Sequence, residues 1–244
     1  MSGRIITLVG ADGAGKSTHA RRLAASAQPA TYIYMGSNPS AVTHSLPTTR
    51  VWTWAKRVLG GTVHHSGPPA PGPVPRPRSA ARRWMLHVKS IGVVVLRASE
   101  ELYRLALAHR LARRGQLVIL DRHPYLDYHQ RRIRARGGWM RAGDRLHALL
   151  LRHVYPKPEE LVVLDAPAEV LHARKPEGTL DALRARRQEY LDLAEHLPHH
   201  VLVSVQDVTG PEDEVAAALL AISRNGGRSA GGSQAGRPEV AGGG

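Results

Sequence analysis

An apolar run, Ile5-Ile6-Thr7-Leu8-Val9, breaks at Gly10-Ala11-Asp12-Gly13-Ala14-Gly15-Lys16-Ser17-Thr18 and passes into a segment with Ala20, Leu23 and Ala24 at helical spacing. No other stretch narrows so far what the chain can fold into. The pattern G-x-x-x-x-G-K-[ST] between a strand and a helix is that of a phosphate-binding loop. Glycines let the backbone curl until successive N–H groups face inward, and the following helix start adds the positive end of its dipole. Gly10, Asp12, Gly13, Ala14, Gly15, Lys16, Ser17 and Thr18 are therefore the expected cradle for a nucleotide. Lys16 reaches the outer phosphates, and the Ser17 hydroxyl is a ligand for Mg²⁺. A glycine-rich turn that binds nothing would not need the strand before it or the helix behind it.

The rest of the chain supplies the other layers of an α/β protein. A helix over 17–27 should stop before Pro29, because the residue preceding a proline is pushed out of helical geometry. Residues 31–35 are β-branched and aromatic and read as a second strand. A long helical segment over 80–114 ends at Gly115 with Arg113 and Arg114 in its last turn. On it Arg97, Glu101 and Arg104 share a face, as a salt-bridged surface or as a set of aimed guanidinium groups. Short apolar strands are expected at 116–120, closed by Asp121-Arg122-His123, at 160–164, closed by Asp165, and at 201–205. Strands alternating with helices imply βαβ units, hence a parallel sheet flanked by helices with ligands at its carboxyl edge. With the loop motif, this makes the expected fold a three-layer P-loop NTPase fold, a single domain over 1–223. Within it 60–79 is a Pro/Gly-rich exposed insert, and 224–244 is a disordered tail with almost nothing to bury.

Composition excludes several classes. The chain of 244 residues has no cysteine, which removes disulfides and thiolate metal sites and suits a reducing, cytoplasmic location. No apolar run approaches the roughly 20 residues that span a bilayer, so no membrane partner is expected. The formal net charge of +14 invites a nucleic-acid reading. Its arginines are scattered rather than clustered, without the interleaved aromatics of a single-strand platform, so an anionic small molecule is the better partner. The 14 histidines lack the helical two-His spacing of a zinc site. A guanine-reading Asn-Lys-x-Asp element is missing, which argues against a GTPase and leaves small-molecule phosphotransferases in front.

Asp12 inside the loop, Asp121-Arg122 at a strand end, and Leu164-Asp165-Ala166-Pro167-Ala168-Glu169 leading to Arg174 together resemble the thymidylate kinase family. The likeness extends over most of residues 3–222 and is concentrated in these motifs. It implies an ATP- and Mg²⁺-dependent kinase of a nucleoside monophosphate, dTMP or a related one, with a short lid over the parallel sheet. By this resemblance Lys16 and the loop amides hold the outer phosphates of ATP, while Ser17 and Asp121 serve the metal. Arg122 binds the acceptor monophosphate, and Asp12 touches the acceptor sugar. Arg174, with Arg184 and Arg187 behind it, stabilises the transferred phosphoryl from the lid. Arg97 and Arg104 lie one turn either side of the family's base-region arginine, whose place is held by Glu100. The family likeness also implies a homodimer through the long helices. Departures cluster on the acceptor side: Met35-Gly36-Ser37-Asn38-Pro39 replaces the family's Arg-Glu-Pro motif, Leu126 its serine, Gln130 falls one residue early, and no Phe exists to stack on thymine. They point to an altered acceptor.

Two other readings stay open on the sequence. A kinase of a nucleoside or other small hydroxyl would use Asp121 as general base. A nucleotide-binding module with little turnover would need no intact acceptor site.

Overall fold

The computed structural model describes residues 3–27, 29–36, 78–124, 141–176, 179–195, 197, 200–204 and 221. The 60–79 insert except its last two residues, Leu126, Gln130 and the 224–244 tail lie outside the described residues.

Five strands, β1 (Arg4–Val9), β2 (Ala30–Tyr34), β3 (Leu117–Asp121), β4 (Glu160–Asp165) and β5 (His200–Ser204), form one parallel sheet in the order β2-β3-β1-β4-β5. The helices between them are α1 (Lys16–Ser26), α2 (Ala80–Arg113), α3 (Ala142–His153), α4 (Ala168–Arg174) and α5 (Leu180–Glu195). This is the expected α/β architecture, a parallel sheet flanked by helices behind a phosphate-binding loop. Parallel strands need long crossovers, and covering both faces explains why β1, β3 and β4 are nearly continuous apolar runs.

Strand alternation sends neighbouring side chains to opposite faces. Ile6, Leu8, Ile119, Val162 and Leu164 pack with Leu23 of α1 and Leu171 of α4. Ile5, Ile33, Val118 and Leu120 pack with Leu105 and Ala108 of α2 and Leu151 of α3. A third group, Val9, Leu161 and Val163, takes Tyr190 and Ala194 of α5. Each fully buried aliphatic side chain contributes on the order of 2 kcal/mol, so the three strands around β1 are the anchor of the site.

Two differences from the sequence reading are local. β2 ends at Tyr34 rather than at 35, since Met35 leaves the ladder while its N–H still donates to the Asp121 carbonyl at 2.9 Å. Helix α3 was not anticipated; it buries His147 and Leu151 at i, i+4 spacing against α2. Gly143 allows that contact, because a Cβ there would run into the Ser90 carbonyl of α2.

Candidate nucleotide-binding site

The sheet order puts the end of β1 between β3 and β4, so the loop leaving β1 is flanked by Asp121 on one side and Asp165 on the other. Leu8 lies beside Asp121 in register, and the Arg122 N–H donates to the Leu8 carbonyl at 3.0 Å. Gly10, Gly13 and Gly15 all have positive φ, at 148°, 93° and 75°. At Gly10 a Cβ would also collide with the Leu164 carbonyl, so the close approach of loop and β4 demands glycine. Gly15 caps α1 without any side-chain acceptor, so the first N–H groups of the helix and the positive end of its dipole are left to meet an anion.

Lys16 is buried, its Nζ donating to the Ala11 carbonyl at 2.7 Å and standing 3.8 Å from Asp12 Oδ1. Burial, reinforced by the nearby Arg122 and Arg186 charges and only partly offset by Asp12 and Asp121, lowers its ammonium to about 8. Asp12 goes the other way from what burial favours: burial raises it, but Lys16, Arg122 and Arg186 prevail and hold the carboxyl below its usual value. Arg122 completes this cluster, its guanidinium donating to Asp12 Oδ1 at 2.9 Å. Burial alone would lower the Arg122 pKa, but Asp12, Tyr190, Tyr34 and Asp121 raise it. Its backbone sits at φ 76°, unusual for a side chain with a Cβ and worth on the order of 1 kcal/mol of strain. That turn swings the guanidinium back over the loop instead of along the strand direction.

Asp121 is fully buried. Its Oδ2 accepts from the Ser17 hydroxyl at 2.5 Å and from the Tyr32 phenol at 2.9 Å, while its Oδ1 is buried without a hydrogen-bond partner among the described residues. An orphaned carboxylate oxygen beside a loop serine fits a hard divalent cation of the Mg²⁺ type, which takes oxygen ligands from one or two carboxylates, phosphates and water. Asp165, the rival strand-end carboxylate, has both oxygens occupied by Arg187, at 2.6 and 2.7 Å.

The remaining expected site residues are spread more widely. Arg97 donates to Glu101 at 2.6 Å on α2. Burial pushes Glu101 up, but His147 at 3.6 Å, the Arg97 charge and the Tyr155 hydroxyl at 2.6 Å outweigh it and bring the carboxyl down to about 2. Arg104 is buried and gives its donors to Glu100 and to the carbonyls of Tyr34 and Gly36, at 2.7 to 3.3 Å, so it braces the exit of β2. Arg174 closes α4, half-buried, one turn beyond the Leu171 carbonyl that abuts Gly13. Arg184 is exposed and paired with Glu169 and Asp181. His123 is buried, and burial lowers its imidazole to about 4, which keeps it neutral at physiological pH.

Three residues that the sequence reading passed over enter here. Arg186 of α5 adds positive potential at both Asp12 and Lys16. Tyr34 lies beside Arg122, and Tyr32 reaches Asp121. Period-two alternation on β2 would have shown that Tyr32 and Tyr34 share a face opposite Ile33; nothing in the spacing of α5 distinguishes Arg186 from Arg184 or Arg187.

Fold and loop together define a P-loop nucleotide-binding α/β protein. Among solved structures, the chain is similar to the thymidylate kinase of Candida albicans at 20% identity, with 91% of each chain covered and a TM-score of 0.49. It is also similar to the thymidylate kinase of Ehrlichia chaffeensis at 12% identity, with 91% of this chain and 99% of that one covered and a TM-score of 0.46. No protein-family model and no curated protein matches the sequence.

Proposed function

We propose that this chain is an ATP-dependent nucleoside monophosphate kinase that moves the γ-phosphoryl of ATP to dTMP or a related monophosphate. The observation that carries the reading is the pairing of two cationic poles across adjacent strand ends. Lys16 with the α1 amides forms one, and Arg122, hydrogen-bonded through its backbone to β1, forms the other. Phosphoryl transfer asks a protein for alignment and charge neutralisation, with little covalent chemistry of its own. The loop amides and Lys16 hold the donor phosphates. Arg122 turns from Asp12 to the acceptor phosphate, leaving Asp12 for the acceptor sugar, while Arg97 and Arg104 line and brace the acceptor side. Arg174, joined by Arg186, neutralises charge on the transferred group and excludes water as the lid closes. Mg²⁺, held by Ser17 and Asp121, supplies neutralisation of the phosphate oxygens.

A hydroxyl kinase would need Asp121 as general base. Burial of that carboxylate and two donors already on Oδ2 favour the metal role instead. The exposed residues Trp84, Val88, Ile91 and Val95, at helical spacing on α2, support a homodimer. The absence of cysteine supports a cytoplasmic setting; among the described residues no helix is long and apolar enough to cross a membrane.

The test is ADP release across a panel of monophosphates and free nucleosides, with Lys16→Ala as control. Turnover with at least one monophosphate, lost in the control, is expected. Turnover with nucleosides alone would overturn the assignment.

A further inference from the structure

We propose that Tyr32 is a positioning residue for Asp121: its phenol and the Ser17 hydroxyl both hold one carboxylate oxygen, which presents the other to the cation that accompanies the nucleotide. The inference rests on the Mg·ATP reading of the site and adds to it a residue outside every motif that reading used.

The geometry begins in the sheet. Tyr34 is the direct neighbour of Asp121 in register, so Tyr32 is its diagonal neighbour on the same face, within reach of a long side chain. The ring of Tyr32 is packed at the edge of the core cluster beneath α1, and Arg21, one turn after Ser17, stands over it at 5.4 Å. Held by the packing of its ring against the core, the phenol donates to Asp121 Oδ2 at 2.9 Å, alongside Ser17 at 2.5 Å.

A carboxylate turns easily about its terminal torsion, whose preference is broad and two-fold. Two donors on Oδ2 remove that freedom. The consequence is visible in the other oxygen, which is buried and has no partner among the described residues. Leaving such an atom unpaired is expensive unless a ligand meets it. The Ser17 hydroxyl can still donate to Oδ2 while its oxygen lone pairs serve the cation, and Tyr32 adds a second donor with no ligand duty of its own.

The discriminating experiment measures ATP binding by calorimetry, in EDTA and across a Mg²⁺ titration, for the full chain and for Tyr32→Phe and Arg21→Ala. Tyr32→Phe keeps the ring and deletes the donor. It should raise the Mg²⁺ concentration for half-maximal ATP affinity by about tenfold or more, the scale of one hydrogen bond to a charged group, while the affinity in EDTA stays within about twofold. Arg21→Ala leaves the donor and should leave the Mg²⁺ curve in place. Superimposable curves for Tyr32→Phe and the parent chain would overturn the proposal, as would an equal loss in EDTA or an equal shift in Arg21→Ala. If the parent chain binds ATP no better with Mg²⁺ than in EDTA, the functional reading falls and this inference with it. If only the variant curves coincide, the functional reading stands and the role of Tyr32 alone is refuted.

Discussion

Replacing Lys16 by Met should make the protein more stable while removing its nucleotide affinity. In the folded chain the ammonium is lowered from 10.5 to about 8, chiefly by burial. A lysine whose folded value lies below its unfolded value destabilises the protein wherever it is charged. That penalty is fully present below pH 8 and is relieved as pH rises toward 10.5. With about 1.4 kcal/mol per unit, the penalty is about 3 kcal/mol at pH 7 and about 1 kcal/mol at pH 9.5. The unbranched Met chain fills the same space without the charge. Urea unfolding of parent and Lys16→Met at both pH values reads the difference directly, with m-values checked for equality. The variant should exceed the parent at pH 7, and its advantage should shrink as pH rises. Saturating ATP should erase the order, because the triphosphate stabilises only the chain that binds it. A variant less stable than the parent at pH 7, or an advantage independent of pH, would refute the view that this lysine is held in reserve at a cost to the fold.

Three further outcomes are expected. Glu101→Gln should destabilise the protein by about 3 kcal/mol at pH 7, as expected when a buried ionic network loses its anion. Because the Glu101 carboxyl is lowered from 4.5 to about 2, its contribution is present above pH 4.5 and lost as pH falls through 2, so chemical denaturation should show the gap closing over that window. Arg122→Gln should raise the KM for the monophosphate by at least about tenfold and leave the Kd for ATP within about threefold, if its guanidinium serves the acceptor phosphate as proposed; steady-state kinetics and calorimetry separate the two. Val88→Arg should turn a homodimer into a monomer in light scattering, because it places a charge in the middle of the apolar stripe of α2.

The parts of the fold that could be read from sequence are those governed by local chemistry. Gly10 to Thr18 announced a strand, a loop and a helix because the required φ values and the apolar flanks are written in adjacent residues. The strands of 117–121 and 160–165 showed themselves as apolar runs closed by Asp121 and Asp165. Their order in the sheet did not, since it depends on which strand lies beside β1 after long crossovers. The division of labour among charges was equally hidden. Asp121 and Asp165 look alike in sequence, and only folding gives one to Ser17 and Tyr32 and the other to Arg187. Arg104 shows the same limit: its spacing on α2 suits a face of aimed guanidinium groups, whereas its partners are Glu100 and two carbonyls at the end of β2. Helical periodicity tells which residues share a face, not what that face meets.

The central place of β1 has a consequence for how the protein is made. The strand that carries the loop is synthesised well before its two ladder partners, β3 at 117–121 and β4 at 160–165, between which it lies in the sheet. At typical elongation rates the apolar face of β1 waits on the order of ten seconds for both neighbours. Until then Gly10 lacks the Leu164 carbonyl it packs against, so on the proposed reading ATP would act as a late template for maturation but not as an early one.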